Sequence, residues 1–266
     1  MELDQAREGG SRTGRLDLGT HQLAVELWGS GKPVLVCLHG LGDTRSTWYA
    51  IAPQLERRGC AVLVDQRAHG ESSAPLGPYT LTHLTSDIGS LLDELEISNA
   101  FLIGHGMGGT VAMGAAIAFP ERVSGMVLIG AATRCSLQVA AWYEEVAQSA
   151  ERGGTAGARQ ALFGSASRRE IVADAIGLAH TARALKSLHR SPLSPARVRC
   201  PTFVLVGSRD FMGPAASRAI QTDLQTAILE VVRDRGHWLH LEAPDVVVAA
   251  VDRLLRLSSR SPISCR

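Results

Sequence analysis

Neither sign of charge dominates this sequence. Its 266 residues carry 27 Lys and Arg against 26 Asp and Glu, a formal net charge of +1, and no block of like charges interrupts the balance. Such a chain lacks the basic field that gathers nucleic acid or an anionic membrane surface. Long apolar runs are missing too: "TVAMGAAIAF" is too short to span a bilayer. The opening residues, "MELDQAREGGSRTGR", hold no hydrophobic signal core; they predict a polar, loose lead-in over 1–14 and a cytoplasmic protein. A cysteine pattern is the third absence. Cys37, Cys60, Cys135, Cys200 and Cys265 are odd in number and show no metal-ligand spacing, so reduced, mostly buried thiols and no metal site are expected. A small-molecule substrate, with neither nucleic acid nor membrane as partner, fits these exclusions. Composition says nothing about oligomeric state.

What is present is an alternation of short apolar runs with helix-period segments. "RLDLG" and "HQLAVELWG" read as a hairpin, "PVLVCLHG" and "CAVLVD" as buried strands flanking a helix over 46–58. Leu81, Leu84, Ile88, Leu91, Leu92 and Leu95 recur at helical spacing. "AFLIGH" and "GMVLIG" bracket a glycine-rich helix, "TFVLVGSRD" and "AILEVV" follow, and a last helix covers 244–257 with Pro244 in its first turn. Uninterrupted Val, Ile and Leu strands between helices predict an α/β fold with a mostly parallel sheet covered on both faces. The length suits one large domain. From 134 to 197 the pattern is helical and irregular, and "RSPLSPARVRCP" marks the return to the sheet. The expected division is a core of 1–133 and 198–266 with a helical lid inserted over 134–197.

The stretch "NAFLIGHGMGGTVAMGAA", Asn99 to Ala116, fits two motifs. Gly104, Gly106 and Gly109 have the G-x-G-x-x-G spacing of a dinucleotide turn. That turn belongs after the first strand, whereas about four strands precede this one, and the acidic residue wanted about 20 positions later is missing from "VLIGAAT". No cofactor is expected. The other motif is a nucleophile elbow, G-x-Nuc-x-G, from Gly104 to Gly108.

The neighbouring stretches agree with the elbow. "HGLG" (His39–Gly42) ends a strand, "DQRAHGES" (Asp65–Ser72) follows the next one, "GHGMGG" occupies the elbow, and "GSRD" and "GHWLHLEAP" come later in that order. Together they resemble the α/β-hydrolase family over residues 15–257. The resemblance implies that family's fold, with His237 as general base, Asp210 as its orienting carboxylate, and backbone N–H groups of Leu41 and Met107 as the oxyanion hole. Asp210 could instead cap the helix beginning near Gly213. Asp65 and Arg67 read as turn-stabilising, with His69 packed beside them. His39, His105, Trp142 and Trp238 are candidates for the pocket wall, and Cys135 for its mouth.

The elbow position itself is Gly106, which has no group that can attack a carbonyl. Three kinds of reading stay open. One is a hydrolase of a small, fairly apolar ester, lactone or C–C bond, either with its serine replaced through a single base change or using His237 and Asp210 to activate water directly. Another is a cofactor-free lyase or dioxygenase that uses His237 as base. The third is a catalytically silent relative that binds a ligand or partner in the same pocket.

Overall fold

The computed structural model describes residues 2–3, 10–165 and 167–259. Among them nine strands form one sheet: β1 (Glu2–Leu3), β2 (Arg12–Asp17), β3 (Gln22–Trp28), β4 (Val34–Leu38), β5 (Cys60–Val64), β6 (Ala100–His105), β7 (Val123–Ile129), β8 (Thr202–Gly207) and β9 (Ala227–Val232). Their spatial order is β1-β2-β3-β5-β4-β6-β7-β8-β9. The hairpin of β2 and β3 pairs Leu16 with Leu23, and β3 meets β5 antiparallel. From β5 to β9 every pairing is parallel. The strands of that parallel part other than edge strand β9 are buried almost throughout, as strands covered on both faces must be.

Side chains alternate between the two faces, the period-2 rule of a strand. Val36, Leu38, Val62, Leu102, Leu128 and Val204 share one cluster with Leu84 and Ile88 of α2 (Leu81–Glu94) and Val111 of α3 (Met107–Ala118). Leu35, Cys37, Leu63, Ile103, Val127 and Leu205 share the other with Leu55 of α1 (Ala52–Glu56) and Val247 and Val251 of α8 (Pro244–Ser259). Between β7 and β8 lie α4 (Leu137–Phe163) and α5 (Ala175–Lys186). They have an apolar cluster of their own, centred on Val146, Ala147, Ala150, Leu178 and Ala182. Helices α6 (Pro214–Asp223) and α7 (Leu239–Glu242) flank β9.

Four expectations change. The lead-in is not loose throughout: Arg12, Thr13 and Gly14 already belong to β2, and Glu2 and Leu3 pair with Arg15 and Gly14. The helix over 46–58 shrinks to a 3₁₀ turn at Arg45–Trp48 and the short α1, because Pro53 has no N–H to continue a helix through it and fits only its first turn. Residues 167–174 are not helical; α5 starts at Ala175, where the Asp174 side chain caps the Gly177 N–H at 2.7 Å. Of the free thiols, Cys37 and Cys60 are buried but Cys135 and Cys200 only half-buried, and Cys265 lies outside the described residues. No helix among the described residues is long and apolar enough to cross a membrane.

Candidate active site

Strand β6 ends at His105 and α3 begins at Met107, so one residue makes the whole reversal. Gly106 does it at φ 52°, ψ −113°, with its N–H bonded to Ile129 O at 2.8 Å. A residue with a Cβ held there would be strained by about 1–3 kcal/mol, which glycine avoids. The flanking glycines are steric requirements. A Cβ on Gly104 would lie 2.4 Å from Gly108 O, and one on Gly108 only 2.1 Å from Leu38 O.

His237 reaches this bend from the loop between β9 and α7, and Asp210 from the loop after β8. The two carboxylate oxygens of Asp210 accept from His237 Nδ1 at 2.9 and 2.8 Å. That tautomer leaves the lone pair on Nε2. Nε2 lies 3.4 Å from the point a Cβ at 106 would occupy. The helix beyond Asp210 has Gly213 at its N-cap, and Asp210 turns instead to His237 and to the Met212 N–H, 2.9 Å from Oδ1. Glu242 closes the histidine loop by accepting from Gly236 N at 2.6 Å and Trp238 N at 3.2 Å. The spacing of "GHWLHLEAP" is thus a loop-closing device.

Sequence reasoning missed Gly130, at the end of β7 with φ 55°. A Cβ there would lie 2.8 Å from His237 Cε1 and Nδ1 and 3.0 Å from Asp210 Oδ2. Gly130→Ala is expected to push the pair apart, lower any His237-dependent turnover by about 10²-fold or more, and cost about 1–3 kcal/mol of backbone strain. Steady-state kinetics and thermal melts check it; unchanged turnover would separate the pair from the chemistry.

The loop from His39 to Gly42 is held from behind. His39 is fully buried and does not line the pocket, contrary to the sequence expectation. Its Nδ1 donates to Gly40 O at 2.8 Å and its Nε2 accepts from Gln66 N at 3.0 Å, so both nitrogens are spent on backbone. His69 does the same for the next turn, donating to Arg67 O and accepting from Gly42 N at 3.1 Å. Burial, the leading cause, pulls His39 down to about 4 and His69 to about 3. Asp65 accepts from the Arg45 backbone and guanidinium and from Glu71 N, and Arg67 pairs with buried Asp87 at 2.5 and 2.6 Å. The N–H groups of Leu41 and Met107 have no acceptor among the described residues, and both residues line the cavity.

That cavity, about 50 Å³, lies above Gly106 and His237. Trp142, Trp238 and His105 line it, together with Tyr143, Phe163, Phe211 and Met212, which sequence reasoning did not single out. Phe211 could have been found by adjacency to Asp210; its ring stands 4.6 Å from that of His237. Cys135 is not among the lining residues; its thiol contacts Lys186 O. His105 Nε2 donates to His237 O at 3.2 Å, leaving Nδ1 without a partner. Asp43, His105 and His240 bring one donor atom each within 4.8 Å of one another. The trio fits a metal poorly, because Arg169 already pairs with Asp43 and its charge acts on all three residues.

A sequence model described as the alpha/beta hydrolase family matches residues 35–250. The chain belongs to that family. Among alpha/beta hydrolases it is similar to the 3-oxoadipate enol-lactonase 2 of Acinetobacter baylyi, 26% identical over 241 residues that span 85% of this chain and 89% of the relative. Of solved structures, it resembles the enol-lactonase of Burkholderia xenovorans at a TM-score of 0.80 and 25% identity, over 91% of this chain and 100% of that one. It also resembles a hydrolase from Pseudomonas aeruginosa at 0.77 and 28%, covering 91% and 98%. An uncharacterised protein of Mycobacterium tuberculosis is 32% identical over 111 residues, 42% of this chain and 32% of that relative. This alpha/beta hydrolase therefore spans about a third of the mycobacterial relative.

Proposed function

We propose that this alpha/beta hydrolase cleaves a small, fairly apolar ester or lactone by direct attack of water. The reading is carried by one observation: the Asp210-held imidazole places Nε2 3.4 Å from the point that a side-chain Cβ at Gly106 would occupy. His237 Nε2 takes a proton from a water at that point while its oxygen bonds to the substrate carbonyl carbon. The carbonyl oxygen, now negative, is received by the N–H groups of Leu41 and Met107. As the intermediate collapses, the bond from carbon to the leaving oxygen breaks and the imidazolium returns its proton to that oxygen. A positioned general base contributes about 10²–10⁴-fold and each oxyanion donor about 10²–10³-fold. The aromatic and aliphatic wall suits an apolar acyl group, and the enol-lactonase relatives support the lactone class. Helices α4 and α5 act as the lid.

His237→Ala is expected to lower kcat/KM on p-nitrophenyl butyrate or a short-chain lactone by about 10²-fold or more. Asp210→Asn should lose a similar factor by releasing the imidazole from its tautomer. Variants as active as the parent would sink the reading.

A further inference from the structure

Among the described residues, Asp43 is the one carboxylate that lines the cavity, and no Lys or Arg lines it. Its countercharge comes from behind the wall. Arg169, in the stretch between α4 and α5, donates from Nη2 to both Asp43 oxygens at 3.0 and 3.1 Å. The guanidinium lies 4.3 Å over the Trp238 ring and 5.6 Å over that of Phe163. The two side chains keep only 15% and 29% of their exposure, so solvent screens the pair weakly. Burial pushes the Asp43 carboxyl up, and Arg169 opposes that shift. Asp43 also directly follows the oxyanion loop, its N–H bonded to Gly40 O at 3.1 Å.

We propose that the Asp43–Arg169 pair sets the charge selectivity of the pocket, so that the substrate's acyl group is uncharged. An acyl group ending in a carboxylate would shed water into an apolar cavity beside a guanidinium, that of Arg169, already committed to Asp43. One ending in an ammonium would meet a carboxylate already neutralised. Neither loss of hydration is compensated. Breaking the pair from one side should therefore open the pocket to one sign of charge. Asp43→Asn frees a guanidinium at the wall and favours anionic ligands, while Arg169→Gln leaves a carboxylate and favours cationic ones.

The parent, D43N, R169Q and the double variant are compared on three p-nitrophenyl esters of similar length: butyrate, the monoester of glutarate, and 4-(trimethylammonio)butyrate. In the parent, kcat/KM for butyrate should exceed both charged esters by about 100-fold. D43N should improve the glutarate ester relative to butyrate by about tenfold or more, R169Q should do so for the ammonium ester, and the double variant should return to the neutral preference; close charge pairs couple by at least this much. Equal changes on all three esters would mean a merely structural pair and overturn the proposal. Because the esters presuppose the hydrolase reading above, the same proteins are titrated with the unreactive amides of the three acids, followed by tryptophan fluorescence. Charge preference in binding without turnover would sink the hydrolase reading and uphold this one. No preference in the parent's binding would overturn it.

Discussion

Gly106→Ser is expected to raise p-nitrophenyl ester turnover by about 10⁴-fold, because losing the serine from a Ser-His-Asp site costs about 10⁶-fold in a studied protease while positioned donors and binding survive. The new Cβ would stand 3.4 Å from His237 Nε2, an ordinary contact, and the hydroxyl one bond beyond it falls within hydrogen-bond reach of the base. Nothing else needs to move: the bend, the pair of Asp210 and His237, and the free N–H groups of Leu41 and Met107 are already in place. The gain has an opposite sign in stability. Serine at φ 52° should cost about 1–3 kcal/mol, lowering the melting temperature by a few degrees, since about 1 kcal/mol shifts a chain of this size by roughly 2–4 °C. Stopped-flow kinetics with a burst phase, an acyl-enzyme mass increment and a thermal melt test all three parts. A G106S protein with the parent's rate would show that the imidazole does not serve this position.

The second large effect is on stability against acid. His39, His69 and His240 are buried, and burial holds them at about 4, 3 and 3, while His105 is lowered well below its ordinary value for the same leading reason. In the unfolded chain each titrates near 6.5. Between those limits the unfolded state binds more protons than the folded one, so stability rises with pH there. The contribution is fully present above about pH 6.5 and is lost as pH falls toward the folded values. At pH 5 the loss is about 2 kcal/mol for each of His39, His69 and His240, and His105 adds in the same direction. The sum, about 6 kcal/mol or more, is comparable with the whole stability of a typical domain, about 5–15 kcal/mol. Urea or thermal unfolding at pH 7, 6 and 5 should show a steep decline. A flat profile would mean that these imidazoles accept protons without unfolding. The hydrogen bonds argue otherwise for His39 and His69, whose rings each donate from one nitrogen and accept on the other, leaving no place for a second proton.

How much of this could be read from the amino acids alone differs from residue to residue. The elbow could, because Gly104 and Gly108 are needed within one strand-to-helix crossing, a requirement contained in five consecutive residues. The role of Glu242 was likewise within reach, since it closes a loop only six residues long back onto Gly236. Gly130 was not. Nothing near it in the chain explains its need for a missing side chain, because the atoms it would strike belong to His237 and Asp210. His39 misled for a related reason. It borders the 40–42 loop in sequence, but Gln66, on the turn after the neighbouring strand, takes its ring away from the pocket. Arg169 sits in a stretch read as helix, and only the packing of that stretch against Asp43 and Trp238 gives it meaning.

By itself, then, the chain's order of residues determined the alternating architecture and the reversal at Gly106, since periodicity and steric demand act over a few residues; His237 and Asp210 were singled out only through the family resemblance of their motifs. The tertiary structure alone decided which groups share the cavity, where the charges of Asp43 and Arg169 meet, and which histidines are sealed from water. Those depend on parallel strands β4, β6, β7 and β8 lying side by side, which brings the loops at their ends together from positions far apart in the chain.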